Sequence, residues 1–175
     1  MYKIFTVKKK FTDFNKKIKV PGDKSLSIRW VLFASLGSGV SRAKNLLMSE
    51  DVVAAINAIR KLGIKVKVRQ KYTEIYGKGI QGYKYKKNII INARNSGTLG
   101  RLILGILVDT PYPIKLIGDK SLSKRDFKRI SDPLSKFGVK FKLKNSFNLP
   151  LTILGKSKIN PIKFIEKKGS AQCKS

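Results

Sequence analysis

Leu62-Gly63-Ile64-Lys65-Val66-Lys67-Val68 and Phe137-Gly138-Val139-Lys140-Phe141-Lys142-Leu143 write one pattern twice. In each, a glycine stops a helix. Apolar residues then alternate with lysines, as on a strand with one face buried and one in water. The agreement continues downstream, where Glu74-Ile75-Tyr76-Gly77 matches Thr152-Ile153-Leu154-Gly155. Both segments close a hairpin-like pair of strands, 64–68 with 73–76 and 139–143 with 151–154. A pattern repeated at this distance marks two copies of one supersecondary unit.

The residues upstream of each pair follow the same order. In the first copy, 16–20 reads as a strand. Apolar residues at helical spacing (Leu26, Trp30, Val31, Phe33, Ala34) then predict a helix over 25–36, stopped at Gly37-Ser38-Gly39. A short strand over 41–46 follows. Ser49 is expected to cap a helix through Leu62, with Glu50 and Asp51 in its first turn. In the second copy, 88–92 is a strand and Asn95-Ser96-Gly97-Thr98 turns into a helix over 99–108. A strand over 114–117 and a helix over 125–137, kinked at Pro133, complete it. A third copy opens with a strand over 161–165, and Gly169-Ser170-Ala171-Gln172 starts its helix. One further strand is expected over 2–7. The fold class is therefore expected to be α/β, built from repeated βαβαββ units arranged around a pseudo-threefold axis. The third unit is incomplete.

Composition narrows the chemistry. Hydrophobic residues make up 42% of the 175, enough for a core. Lysine and arginine number 39 against 10 acids, for a formal charge of +29. Such a balance points first to nucleic acid. The basic residues, however, run along the whole chain and alternate with apolar ones in strands, which is the pattern of a solvated face. There is no histidine, so proton transfer falls to Lys, Asp, Glu or water, and histidine triads and histidine zinc sites are excluded. The single cysteine, Cys173, cannot form an internal disulfide, which fits a reducing compartment. The N-terminus lacks a signal-peptide apolar stretch, and the apolar runs at 30–36 and 102–108 are too short to cross a bilayer. A soluble cytoplasmic protein is expected.

Pro21-Gly22-Asp23-Lys24-Ser25-Leu26-Ser27-Ile28-Arg29 concentrates functional side chains at a helix start. The first backbone N–H groups of a helix lack internal partners, and its dipole is positive there. Lys24, Ser25, Ser27 and Arg29 add an ammonium, two hydroxyls and a guanidinium, a seat for phosphate or carboxylate. A capped helix with solvated charges reads equally well from this stretch alone. The hexapeptide Gly22–Ser27 recurs residue for residue as Gly118–Ser123, each followed by an arginine, Arg29 and Arg125. The helix starts at Lys24-Ser25, Ser96-Gly97-Thr98 and Ser170-Ala171-Gln172 occupy equivalent places. Units packed about a threefold axis would aim all of them at one end, making a site for a multiply anionic small ligand.

Together, Pro21–Ser25 with Arg29, Asn95–Thr98 with Arg101, Gly118-Asp119 through Leu122 with Arg125, and Ser170-Ala171-Gln172 resemble the 5-enolpyruvylshikimate-3-phosphate synthases, in order and in spacing. Leu46-Leu47 to Asp51 and Asp132-Pro133-Leu134 are similar to the family as well. The resemblance implies transfer of the enolpyruvyl group of phosphoenolpyruvate to the 5-hydroxyl of shikimate 3-phosphate, without metal or cofactor. It implies that Lys24 contacts both substrates and moves a proton. It places Ser25, Arg29, Ser170, Ala171 and Gln172 on shikimate 3-phosphate, and Gly97, Arg125 and Gln172 on phosphoenolpyruvate, with Asn95 in support. It further implies a monomer when full length, with no specific nucleic-acid partner and no membrane. In the family a second domain completes the site, so residues 1–14 are expected to belong to that domain and 15–175 to the substrate-binding one. The chain alone is then expected to be inactive.

This sequence departs from the family at Arg94, where a glycine is common, at Asp126-Phe127, where proline and methionine follow the arginine, and at Ala171, a serine in some members. An aspartate beside Arg125 is expected to weaken its hold on an anion. Two other readings compete. One is a basic nucleic-acid-binding domain. The other is a relative of the enolpyruvyl transferase that acts on UDP-N-acetylglucosamine, which lacks the Lys-Ser-Leu-Ser-Ile-Arg pattern and uses a loop cysteine, a loop in which Cys173 does not lie.

Overall fold

The computed structural model describes residues 4–10, 15–143, 147–166 and 169–175. Two α/β units follow one another. The first comprises α1 (Lys24–Leu36), β1 (Ser38–Ala43), α2 (Glu50–Lys61), β2 (Lys65–Val68) and β3 (Thr73–Lys78). The second comprises β4 (Ile90–Asn92), α3 (Gly97–Ile106), β5 (Ile114–Ile117), α4 (Lys120–Ser123), α5 (Lys128–Lys136), β6 (Lys140–Leu143) and β7 (Leu151–Leu154). A single turn, α6 (Ala171–Lys174), lies at the end.

The sheets repeat one topology. The first has the order β1-β3-β2, and the second the order β4-β5-β7-β6. Register agrees to the residue. Ile75 pairs with Ser41 and Val66, and its counterpart Ile153 pairs with Ile114 and Phe141. Both isoleucines are fully buried. β4 and β5 are parallel, joined by α3 as a crossover.

Matched glycines hold both units in this form. Gly63 and Gly138 follow α2 and α5 at φ 85° and 97°, the left-handed conformation a helix C-terminus favours in glycine. Gly77 and Gly155 close the last strands. A Cβ on Gly77 would lie 2.1 Å from the carbonyl oxygen of Gly37, and one on Gly155 2.3 Å from the amide nitrogen of Thr110. Each last strand therefore presses its bare backbone onto the end of its unit's first long helix. The core runs through both units, with Ile28, Val31, Ile59, Ile103, Leu104 and Phe127 among its buried side chains. α1 packs on both α2 and α3. The connection between the units is anchored by Lys84, whose amide donates to the Leu62 carbonyl, and by Tyr83. The Tyr83 hydroxyl meets the Ser35 hydroxyl at 2.7 Å, and burial pushes its pKa up to about 12.

Some expected elements are absent. Residues 16–20 form no strand, and Ile18 and Val20 are exposed. Alternation alone does not make a strand without a neighbouring edge to pair with. The same holds for 161–165 and for 4–7; the rest of the strand expected over 2–7 lies outside the described residues. The helix expected over 125–137 starts later, at Lys128, because the Asp126 carboxylate accepts from the Lys128 amide at 2.6 Å and opens a new helix there. Pro133 sits inside α5, where it removes the bond that would reach the Arg129 carbonyl. That oxygen instead accepts from the Cys173 thiol at 3.5 Å.

Candidate active site

The site begins with helix caps. The Asp23 carboxylate accepts from the Leu26 amide at 2.7 Å, and the Ser96 hydroxyl from the Leu99 amide at 3.2 Å. Ser170 does the same for Cys173 at 3.3 Å. The residues after each cap are thereby set in the first turn, with side chains free for other work: Lys24-Ser25, Gly97-Thr98 and Ala171-Gln172. Gly22, just before the first cap, is required by contact. A Cβ there would lie 2.1 Å from the Asn45 carbonyl oxygen.

These starts converge. Lys24, Asp51, Asn95, Gly97, Thr98, Arg125 and Gln172 line a cavity of about 240 Å³. The Gln172 amide donates to the Thr98 hydroxyl at 3.4 Å, tying α6 to α3. The Lys24 ammonium lies 3.1 Å from the Asp51 carboxylate. Lys24 is half-exposed and Asp51 mostly covered, so the acid is the fixed member and holds the ammonium over the cavity. In the sequence Asp51 stands out as a first-turn acid of α2 and as part of the family pattern, not as a partner of Lys24. Its partner lies on another helix, which spacing along the chain does not reveal. Ser49, expected to cap that helix, holds the N-cap position, but its buried hydroxyl makes no cap bond.

Arg125 follows the one-turn α4, which the second hexapeptide opens with the same cap as the first: the Asp119 carboxylate accepts from Leu122 at 2.7 Å. A Cβ on Gly97 would lie 3.0 Å from a guanidinium nitrogen of Arg125 and 2.9 Å from one of Arg101. Glycine at this helix start lets both guanidinium groups approach. Arg101 donates to the carbonyls of Gly97 (3.4 Å) and Asp126 (3.1 Å) and stacks 5.1 Å from the centre of the buried Phe127 ring. Burial first, and then the charges of Arg129 and Arg125, lower the Arg101 pKa from its ordinary value. The Asp126 carboxylate, beside Arg125, accepts from the Lys128 amide at 2.6 Å in the turn that leads into α5. Arg94 has φ 50°, a left-handed conformation that glycine adopts without strain, and its carbonyl accepts from the Asp119 amide at 2.8 Å.

Of the residues singled out in the sequence, Lys24, Asn95, Gly97, Arg125 and Gln172 come together in the cavity, which gains Asp51 and Thr98. Ser25, Arg29, Ser170 and Ala171 are not in its lining. Arg29 points towards the chain end, donating to the Ser175 hydroxyl at 3.3 and 3.1 Å. Ser27 is buried, and its hydroxyl accepts from the Leu47 amide at 3.1 Å, which is a structural task. Among the described residues there is no His, Cys, Asp or Glu cluster able to hold a metal, and no helix long and apolar enough to cross a membrane.

The cavity is thus a polar cleft with two cations and one fixed carboxylate, built on helix starts from both units. The family model described as EPSP synthase (3-phosphoshikimate 1-carboxyvinyltransferase) matches residues 8–175. The 3-phosphoshikimate 1-carboxyvinyltransferase of Streptococcus mutans serotype c is 38% identical over 159 residues, 90% of this chain and 37% of that protein. The enzyme of the same name from a Sulfurihydrogenibium species is 39% identical over 168 residues, 95% of this chain and 38% of its own length. The solved EPSP synthase of Acinetobacter baumannii superposes with a TM-score of 0.84 at 32% identity, covering 91% of this chain and 36% of that one. The chain spans little more than a third of the length of these relatives, and over that third it belongs to the EPSP synthase family.

Proposed function

We propose that the cleft binds shikimate 3-phosphate and phosphoenolpyruvate, and that the chain supplies this half of an enolpyruvyl-transfer site. The convergence of Lys24, Asn95, Gly97, Arg125 and Gln172 on one polar cavity carries the reading. Both substrates are dense anions, and cations held in place offset their mutual repulsion without reorganising during reaction. In this reading the 5-hydroxyl oxygen of shikimate 3-phosphate bonds to C2 of phosphoenolpyruvate while C3 gains a proton. The hydroxyl gives up its proton in this addition, and the tetrahedral adduct then loses a proton from C3 as its C2–O bond to phosphate breaks, which reforms the C2–C3 double bond and releases phosphate.

Lys24 contacts both substrates and carries the proton, with Asp51 as the residue that positions its ammonium. Gln172 sits between the substrates. Arg125, over Gly97, takes phosphoenolpyruvate, and Asn95 orients the same pocket. Ser25, Arg29, Ser170 and the backbone at Ala171 form the outer, shikimate 3-phosphate side, adjoining the cavity rather than lining it. Residues 15–175 act as the substrate-binding domain and residues 1–14 belong to the other domain. The exposed Ile4, Phe5 and Val7 support that assignment. A monomeric cytoplasmic enzyme of aromatic amino-acid biosynthesis is the matching cellular role.

Calorimetric titration of shikimate 3-phosphate into the chain at physiological salt, with shikimate as control, tests the proposal. Saturable binding that requires the phosphate, and that Lys24→Ala weakens by about tenfold or more, is expected for a charge-assisted contact. Equal affinity for shikimate and its phosphate, or indifference to Lys24→Ala and Arg29→Ala, would overturn it.

A further inference from the structure

The outer faces of the two sheets carry their charges differently. In the first sheet, register places Arg42 opposite Glu74 and Glu74 opposite Lys67. This row of cation, acid and cation is partly compensated, with Arg42 and Glu74 in a salt bridge of 2.6 Å and the Lys67 ammonium, like that of Lys65, over the Tyr76 ring. The equivalent row of the second sheet is Lys115, Thr152 and Lys142. The acid of the first sheet is replaced by a threonine. Lys140 lies two residues from Lys142 on the same strand, and all three lysines are exposed while Ile114, Leu116, Leu151 and Ile153 beneath them are buried. No strand of this sheet carries an aspartate or glutamate, and none of the three ammonium groups is ion-paired among the described residues.

We infer that the outer face of the β5-β7-β6 sheet docks a single-stranded nucleic-acid backbone through Lys115, Lys140 and Lys142. Charge complementarity and spacing carry this. Residues two apart on a strand are about 6.8 Å apart, and strands lie about 4.8 Å apart, so the lysines form a flat grid rather than a pocket. A grid fits a chain of regularly spaced phosphates, where each contact releases a condensed counterion. A single anion would bridge at most one pair. Among the described residues the face has no aromatic ring; beside its lysines it carries Thr152 and the half-buried Leu154 and Ile117, with Ile90 exposed at the β4 side of Lys115, too little apolar surface to enter a bilayer. Nor does it hold a side-chain acceptor array for base edges, so recognition is independent of sequence. None of the three lysines lines the cleft, which leaves the two sites separate.

The test is fluorescence anisotropy of a labelled oligouridylate of about 16 nucleotides, titrated with the full chain at several salt concentrations. The triple variant Lys115→Gln, Lys140→Gln, Lys142→Gln is compared with Lys65→Gln, Lys67→Gln, Lys78→Gln, which removes the same charge from the first sheet. The second-sheet variant is expected to bind at least about tenfold more weakly, with a log–log salt slope smaller by about 2, while the first-sheet variant stays within about threefold of wild type. Equal losses in both variants would mean that net charge alone binds, and would overturn the inference. So would absence of binding by wild type, or preference for phosphatidylserine vesicles over the oligonucleotide. Acetylation footprinting of the wild-type complex gives the answer without any variant. Selective protection of Lys115, Lys140 and Lys142 is expected, and uniform protection of lysines overturns the proposal.

Discussion

The two units share a frame and differ on their surfaces. Their strand order, the pairing of Ile75 and Ile153, and the glycines at 63/138 and 77/155 coincide. Their outer rows, Arg42-Glu74-Lys67 and Lys115-Thr152-Lys142, do not. The repeated hexapeptide sharpens the lesson. Both copies cap identically, yet the first opens a helix of 13 residues and the second one of 4. In the first, Ile28, Val31 and Leu32 go on to bury a face. In the second, Asp126 ends the continuation by starting another helix. Local caps thus decide where a helix starts, and burial decides how far it runs. What is common to the units is set by close backbone contacts, and what differs is set by the side chains of the outer rows.

The strongest way to break this equivalence is at the closing glycines. Gly77→Val and Gly155→Val each drive a side chain into backbone, where nothing flexible can yield. Each is expected to cost about 3 kcal/mol or more in denaturant unfolding. Tolerance of one and not the other would show that the units close differently. The helix-stop glycines divide more finely. Both have positive φ, so alanine costs about 1 kcal/mol at either. Gly63 also faces the Lys84 carbonyl oxygen at 2.3 Å, whereas Gly138 faces the movable end of Lys156. Gly63→Ala is therefore expected to lose about 2 kcal/mol more than Gly138→Ala, measured as the difference in unfolding free energy.

The helix starts differ in function rather than stability. Lys24 and Gly97 hold the same place after their caps. A Cβ at Gly97 meets only the ends of Arg101 and Arg125, which can move aside. Gly97→Ala is expected to change stability by less than about 1 kcal/mol. It is also expected to weaken phosphoenolpyruvate binding about tenfold by displacing Arg125. Unchanged affinity, read by titration in the presence of shikimate 3-phosphate, would remove Arg125 from the site.

Much of the frame was legible in sequence because its signals are local. Glycine after a helix and alternation in β2, β3, β6 and β7 act within a few residues. The failures have a common cause as well. Residues 16–20 have the alternation of a strand, but pairing is supplied by a neighbour and not by the segment. The Lys24–Asp51 contact joins two helices, so the carboxylate that fixes the ammonium was visible as a first-turn acid and a family-like position but not as the partner of Lys24. Phe127 stood out as a departure from the family; its burial against Gly100 and Arg101 makes it a core residue that supports the site from below.

The smallest expected effect separates the outer rows by pH. Hydrogen bonding to Arg42 holds the Glu74 carboxyl below the usual glutamate range, against the opposing effect of burial, with the charges of Arg42, Arg69 and Lys67 adding to the lowering. An unfolded glutamate titrates near about 4.3. Between that value and the lower folded one, the unfolded chain binds more protons, so stability rises with pH. The contribution of Glu74 is complete above about pH 4.3 and disappears as pH falls through its folded pKa. The gap between wild type and Glu74→Gln in urea midpoint is therefore expected to be present at neutral pH and to close in acid. A gap that persists in acid would show that packing, not charge, is what Glu74 supplies. Thr152→Glu transplants the same acid between Lys115 and Lys142 of the second unit. It is expected to create a second component with the same sign and window, and at neutral pH to weaken oligonucleotide binding by lowering the charge of the row, as the first sheet's acid does. A variant that gains the acid-side component yet binds the oligonucleotide as tightly as wild type would separate the two rows' electrostatics from any docking on that face.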